Sequence, residues 1–375
     1  MIVERGLTRR GFAGFAAAAL TPAVFNEAAF AQRAAVRGNA PPGTVWLNSN
    51  EFPEGPPPAA IEAMTRSLAE SNRYHYQEFQ SIYAAMAASE KFEKDSLLVG
   101  SGSTEILHCA IDAFTSEKRA FITCMPTYEA GPELAATKGA PVVTFPLTSS
   151  YSFDVKRMAE AAEKAGGGLI YICNPNNPTA SMTPHEDIAW LVANLPANTY
   201  LLMDEAYLHF HKTPETESAL GYVRAGKNVI VARTFSKIYG MAGLRVGLGF
   251  ARPDLIQKMQ PFRNNVISIV SARAVLAALD LGPKFLEERR AKIAAPRRDV
   301  TDWCGEKKLK CIKSYANFMM IDVGRPIREV IPAMLAKAVA VGRPFPPYDT
   351  MMRITIGTDA EMVKFRGALG EVLGV

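Results

Sequence analysis

Cysteine is scarce in this 375-residue chain, five in all, and so is tryptophan, with three. Five cysteines are too few for a disulfide scaffold. Long apolar runs are missing too. None reaches the roughly 20 residues of a spanning helix, which excludes a chain built from several such helices. Charge of one sign is not in excess: Lys+Arg 42 against Asp+Glu 37 leaves +5, and the basic residues are scattered. That distribution gives no basic face for nucleic acid. No internal repeat is visible. What remains is 48% hydrophobic and 21% charged, with a mean hydropathy of +0.01. Such a composition excludes a disordered or collagen-like chain and predicts a large domain with ample core plus a smaller one.

The first residues read as an address. Thr8-Arg9-Arg10-Gly11-Phe12 sets two arginines ahead of an apolar, Ala- and Gly-rich run from Phe12 to Leu20, and Ala29-Phe30-Ala31 follows as a small-residue cut. Charged start, short apolar stretch and A-x-A together predict a twin-arginine (Tat) signal peptide over residues 1–31, and hence a periplasmic protein with no other membrane attachment. The competing reading is an amphipathic first helix of the folded domain. Cys124 and Cys173 end apolar runs and read as buried strand residues. Cys304 and Cys311 are near enough in sequence for a pairing that spacing alone does not establish.

The rest alternates strand and helix. Leu97–Val99, Phe121–Cys124, Val142–Phe145, Leu169–Cys173, Tyr200–Met203 and Val229–Ala232 are short, uniformly apolar runs. Runs of this kind belong to strands covered on both faces. Between them lie helical periodicities such as Ile106, Leu107, Ala110, Ile111 and Phe114. The pattern predicts a doubly wound α/β fold with a mostly parallel sheet. From about Pro283 a charged helix and the runs Asn317–Ile321 and Met352–Ile356 indicate a smaller α+β domain. The predicted divisions are therefore 1–31 leader, 32–71 a segment joining the small domain, 72–282 the large domain and 283–375 the small one.

In such sheets ligands sit beyond the carboxyl ends of the strands. Asn174-Pro175-Asn176-Asn177-Pro178-Thr179 follows one run, Asp204-Glu205-Ala206-Tyr207 the next, and Thr234-Phe235-Ser236-Lys237 the third. An amide, a carboxylate and an amine thus leave three consecutive strands. Each has an ordinary alternative, as turn, helix cap and surface lysine. Together they suit pyridoxal phosphate (PLP). Lys237 would anchor the aldehyde. Asp204 would hold the pyridine nitrogen protonated. Asn177 and Tyr207 would donate to the ring's phenolic oxygen. Gly102-Ser103-Thr104 opens a helix whose N-terminus suits a phosphate, with Ser236 and Arg245 as further donors. Tyr128 is placed to stack on the ring. His108 reads as a packed histidine, and His209 and His211 as surface residues, since no further ligand completes a metal set.

Asn176-Asn177-Pro178-Thr179, Asp204-Glu205-Ala206-Tyr207 and the stretch from Ser236-Lys237 to Arg245-Val246-Gly247 resemble the signature of class I/II aminotransferases of fold type I. Asn48-x-Asn50-Glu51, Arg73-Tyr74, Gly102-Ser103-x-Glu105, Pro126-Thr127-Tyr128 and Arg353-Ile354-Thr355-Ile356-Gly357-Thr358 resemble its histidinol-phosphate aminotransferase branch. The resemblance runs from about Leu47 to the C-terminus. It implies a homodimer acting on an amino acid and a 2-oxo acid, with Tyr74 reaching the neighbouring subunit's cofactor phosphate. It implies that Arg353 binds the substrate carboxylate and that Lys237 moves the α-proton. Arg343 is a candidate contact for the substrate's tail, against the plainer reading of a solvated loop arginine. Tyr76, Phe345 and Tyr348 are expected near the pocket. The chain departs from the pattern at Ala180, where the family has glycine, at His75-Tyr76, and in the Pro-rich Arg343–Asp349. Elimination, decarboxylation or amino-acid oxidation on the same scaffold is the alternative reaction. A binding protein that lost catalysis ranks behind both, because Lys237 and Asp204 are present.

Overall fold

The computed structural model describes residues 40–213, 217–264 and 266–375, so the predicted leader and its cut lie outside the described residues. Chain order runs β1 (Val45–Trp46), β2 (Leu97–Gly100), β3 (Ala120–Met125), β4 (Val142–Pro146), β5 (Gly168–Cys173) and β6 (Thr199–Asp204). It continues with β7 (Val229–Thr234), β8 (Gly247–Phe250), β9 (Lys310–Cys311), β10 (Phe318–Asp322), β11 (Val339–Ala340) and β12 (Met351–Thr355). Seven strands form one sheet in the order β2-β8-β7-β6-β5-β3-β4. The pairs among β3 to β7 are parallel, while β8 runs antiparallel to both β7 and β2.

Helices cover both faces of the sheet. Phe121, Leu169 and Tyr200 share a row, and the Phe114 ring of helix Ser103–Phe114 packs 4.2 Å from that of Tyr200. Cys124 lies three residues after Phe121 and so points to the opposite face. There its sulfur lies 3.7 Å from that of Met158, on helix Val155–Lys164. Every residue of β5 and β7 is buried: the apolar runs as strands covered on both faces require, and Arg233, near the end of β7, through its ion pair with the buried Glu205. β4 departs from the expectation of full cover. It closes the sheet with one neighbour, and its residues are part-buried or exposed.

β8 carries almost no sequence signal because two of its four residues are glycine. The packing accounts for them. A Cβ on Gly247 would lie 2.2 Å from the Gly102 carbonyl carbon and the Ser103 nitrogen, and one on Gly249 would lie 2.6 Å from Ile106 Cγ2. Bare backbone here lets helix Ser103–Phe114 and the turn before it rest directly on the sheet.

Beyond the large sheet, β12, β10 and β9 form an antiparallel sheet, and β1 pairs in parallel with β11. Leu47 continues β1, donating to the Ala340 carbonyl and accepting from the Thr355 nitrogen, each at 2.8 Å, and so links β11 to β12. The charged helix predicted from Glu287 is longer than its sequence signal, running from Gly282 to Glu306 with a buried Pro296 inside. One continuous cluster of buried apolar residues joins the large sheet to the two smaller ones.

Candidate active site at the carboxyl edge of the sheet

Register brings the three strand ends together. Cys173 pairs with Asp204, and Asp204 with Ala232, so the segments after β5, β6 and β7 emerge side by side. Asp204 is 2% exposed. The Tyr171 hydroxyl donates to its Oδ2 at 3.1 Å, and the Ala206 N–H donates to Oδ1 at 3.1 Å. Tyr171 is wholly buried, and burial, reinforced by the neighbouring Asp204 carboxylate, pushes its phenol well above the usual tyrosine range. It is therefore a fixed neutral donor. Sequence reasoning missed it. The available signal was a lone hydroxyl inside the apolar run Leu169–Cys173.

Lys237 is buried, with Nζ 5.6 Å from the centre of the Tyr207 ring. The Tyr207 hydroxyl accepts from Asn50 Nδ2 at 3.3 Å. Burial raises the Tyr207 phenol, and Lys237 and Asn50 pull it part of the way back. Asn50 is itself held from the other end of the chain, its N–H donating to Thr355 Oγ1 at 2.8 Å. Asn317 Nδ2 donates to the carbonyls of Asn50 and Glu51, each at 3.1 Å. Asn317 is a second residue that sequence reasoning did not single out as polar.

A cradle forms where Gly102, Ser103, Thr104, Ser236 and Arg245 converge. Gly102 takes φ +77, and a Cβ there would lie 2.2 Å from Arg245 Nη2, so the guanidinium lies over the turn. Arg245 Nη1 donates to Ser236 Oγ and to the Ala242 carbonyl, both at 3.0 Å. Arg245 itself sits in the left-handed region at φ +52, a strained conformation that folds its side chain back over the cradle. Thr234 Oγ1 donates to Ser236 Oγ at 2.9 Å, and the hydroxyls of Thr104 and Tyr128 lie 3.4 Å apart. Glu105 secures the helix start, accepting from the Ser101 nitrogen and, at 2.7 Å, from that of Asn264.

Arg353, on β12, is 8% exposed. Its Nη1 donates to Asn177 Oδ1 at 2.6 Å and its Nη2 to the Asn48 carbonyl at 2.8 Å, while its buried Nε has no hydrogen-bond partner. Burial draws the guanidinium down to about 10. The Asn176 side chain braces the loop beneath. It accepts from Thr127 Oγ1 at 2.8 Å and donates to the Pro126 carbonyl at 3.0 Å and to Thr179 Oγ1 at 2.8 Å. Ala180 adopts φ +57, the glycine-like conformation, although it carries a methyl group. Hydrogen bonds of 2.8 Å at both its nitrogen, to Asn176, and its carbonyl, from Tyr315, hold it there.

The remaining expected residues differ in burial. Tyr74 and Tyr76 are 74% and 61% exposed, with their rings stacked 5.1 Å apart. Tyr348 packs edge-on to Tyr151. Arg343 is not a solvated loop residue: it is part-buried, ion-paired with Glu129, bonded through Nη1 to the Pro344 carbonyl at 3.0 Å and packed over the Phe345 ring, contacts that hold it off solvent. His209 and His211 are half-buried rather than on the surface. Burial, with Arg233 and Arg290 nearby, lowers His209 to about 3. Cys304 and Cys311 are free thiols, the first buried and the second part-buried.

The set fits PLP. It holds a buried amine, a buried carboxylate fixed by two donors, a cation over a helix N-terminus, and a buried arginine whose Nε has no hydrogen-bond partner of its own. Known proteins share this chain's length and fold. Histidinol-phosphate aminotransferase of Symbiobacterium thermophilum is 33% identical over 336 residues, 88% of this chain and 91% of that protein. An aromatic amino acid aminotransferase of Cutibacterium acnes is 32% identical over 333 residues, covering 88% and 92% respectively. The crystal structure of histidinol-phosphate aminotransferase from Sinorhizobium meliloti in complex with pyridoxal-5'-phosphate matches with a TM-score of 0.83 at 25% identity, over 93% of this chain and 95% of that one. Residues 42–369, which contain every residue of the site, match the family profile for aminotransferase class I and II, and with that span and these relatives the chain belongs to that family.

Proposed function

We propose that this chain is a PLP-dependent aminotransferase that takes the amino group of a histidinol-phosphate-like, aromatic or otherwise bulky L-amino acid and delivers it to a 2-oxo acid. The observation that carries this reading is the meeting of Lys237 and Asp204, which follow neighbouring strands of the large sheet, with Arg353, which β12 brings against Asn177; all three are buried. When bound, the cofactor supplies an aldehyde that condenses with amines and a pyridine ring that withdraws electron density. Lys237 Nζ is the group that anchors it and then moves the proton of the substrate's α-carbon. Asp204, kept in place by Tyr171 and the Ala206 N–H, holds a proton on the ring nitrogen. Tyr207 and Asn177 would donate to the ring oxygen, and Tyr128 would pack on the ring face. Gly102, Ser103, Thr104, Ser236 and Arg245 bind the phosphate. Arg353 binds the substrate carboxylate, with Asn177 and Asn48 orienting its fork.

The same reading includes a homodimer in which Tyr74, exposed here, serves the neighbouring subunit's cofactor phosphate. It includes export by the Tat route, supported by the twin arginines and the A-x-A stretch, and the divisions at 31, 71 and 282. N-terminal sequencing of protein from the periplasmic fraction tests the export, with a start near Gln32 expected and an intact Met1 or cytoplasmic residence against it. Borohydride treatment after loading with PLP, followed by peptide mass mapping, tests the chemistry. The expected result is a phosphopyridoxyl group on Lys237, lost in Lys237→Ala together with 2-oxo acid formation, which falls by a factor on the order of 10²–10⁴. No adduct, and no oxo acid from any donor, would overturn the reading.

A further inference from the structure

Directly after Tyr128 comes Glu129, whose carboxylate accepts a charge-assisted hydrogen bond from Arg343 Nη2. The two side chains are 22% and 25% exposed, so the pair is neither open to solvent nor sealed in the core. The guanidinium of Arg343 lies 4.2 Å from the centre of the Phe345 ring, and that of Arg353 lies 4.6 Å from the same ring. Phe345 therefore ties the ion pair to the arginine assigned to the substrate carboxylate. Phe318 lies on the other approach, its ring 5.6 Å from the Arg353 guanidinium and edge-on to Tyr207 at 4.9 Å. Beside Arg353 the wall thus consists of two aromatic rings and a cation already matched by an anion.

From this we infer that Glu129 is the specificity-determining residue of the donor pocket, selecting uncharged, aromatic side chains by cancelling Arg343. A donor with an anionic side chain, carboxylate or phosphate, must displace Glu129 from Arg343 and then lie beside the displaced carboxylate. Like charges in a part-buried site repel with little screening. An aromatic donor leaves the pair intact and brings no charge beside it. The inference deepens the reading above and rests on it for the place of the substrate carboxylate.

The test uses ligands that do not react, so it is independent of turnover. Dissociation constants of 3-phenylpropionate and of glutarate are measured by calorimetry on the PLP-loaded protein, for wild type, Glu129→Gln and the double variant Glu129→Gln/Arg343→Gln. Wild type is expected to favour 3-phenylpropionate. Glu129→Gln should shift the ratio toward glutarate by about tenfold or more, the factor that 1.4 kcal/mol represents. The double variant should return most of that shift, which a merely structural role for Glu129 would not produce. A wild type that prefers glutarate, or a ratio unmoved in Glu129→Gln, overturns the inference. Failure of both ligands to bind wild type would instead count against the assignment of Arg353.

Discussion

Asp204 shows how much of a buried carboxylate is set by its neighbours. It has left water almost completely, and the Tyr171 hydroxyl and the Ala206 N–H each satisfy one of its oxygens. Replacing Tyr171 with phenylalanine keeps the ring, which stacks on Phe121 with centroids 5.8 Å apart, and removes only the donor. A buried acceptor left short of a hydrogen bond costs about 1–3 kcal/mol. Tyr171→Phe should lower unfolding stability by that amount and weaken PLP binding. Urea titration and a cofactor dissociation constant check both, and wild-type values for the two would refute the pairing. At this scale the sequence was informative where the motif was contiguous. Lys237, Asp204, Asn177 and the Gly102–Thr104 turn follow strand signals directly. Tyr171, Asn317 and Glu129 carry no local pattern, because each acts through a partner remote in the chain: 33 residues away for Tyr171 and 214 for Glu129.

At the scale of elements, the site depends on how closely β8 approaches the turn before helix Ser103–Phe114. Gly247→Ala would set a methyl 2.2 Å from backbone atoms of Gly102 and Ser103, where no flexible side chain is available to yield. Overpacking of this kind costs about 1–3 kcal/mol. The melting temperature should fall, and phosphate-containing ligands should bind more weakly, since the displaced backbone carries the cradle. Unchanged binding with a lowered melting temperature would show that the cradle does not depend on this contact. A separate device holds the last helix, Asp359–Leu373. Thr358 and Glu361 form a capping box, with the Thr358 side chain accepting from the Glu361 nitrogen at 3.3 Å and Glu361 Oε2 accepting from the Thr358 nitrogen at 2.7 Å. Thr358→Ala should destabilise the protein by about 0.5–2 kcal/mol and leave amino transfer intact, as denaturant midpoints and steady-state rates would show. A loss of transfer out of proportion to stability would count against a purely structural cap.

For the molecule as a whole, acid stability follows from histidines kept neutral by packing. His209 is lowered from 6.5 to about 3, chiefly by burial, and His108 is lowered for the same reason. The sign is fixed by which state protonates first. Below about pH 6.5 the unfolded chain takes up a proton that folded His209 refuses until about pH 3. Stability is therefore full above that window and declines through it, by at most about 1.4 kcal/mol per pH unit for each such group. Unfolding free energies measured at about pH 7 and about pH 5 should differ in this direction. The gap should narrow in His209→Gln, with His108 contributing in the same direction. An equal gap in that variant would show that His209 is not the group responsible.

The sequence by itself determined the layered α/β plan and the chemistry at its edge, because strand period, apolar runs and the polar residues just after them are all local properties of the chain. Tertiary structure alone decided which side chains meet: Arg353 with Asn177 and Asn48, Asn50 with Tyr207, Arg343 with Glu129. Those pairings depend on strand order, register and the return of the C-terminal segment onto the large sheet. Spacing along the chain does not encode these, since many arrangements bury the same apolar residues equally well. Burial of charged and polar groups then leaves only the pairings that satisfy them.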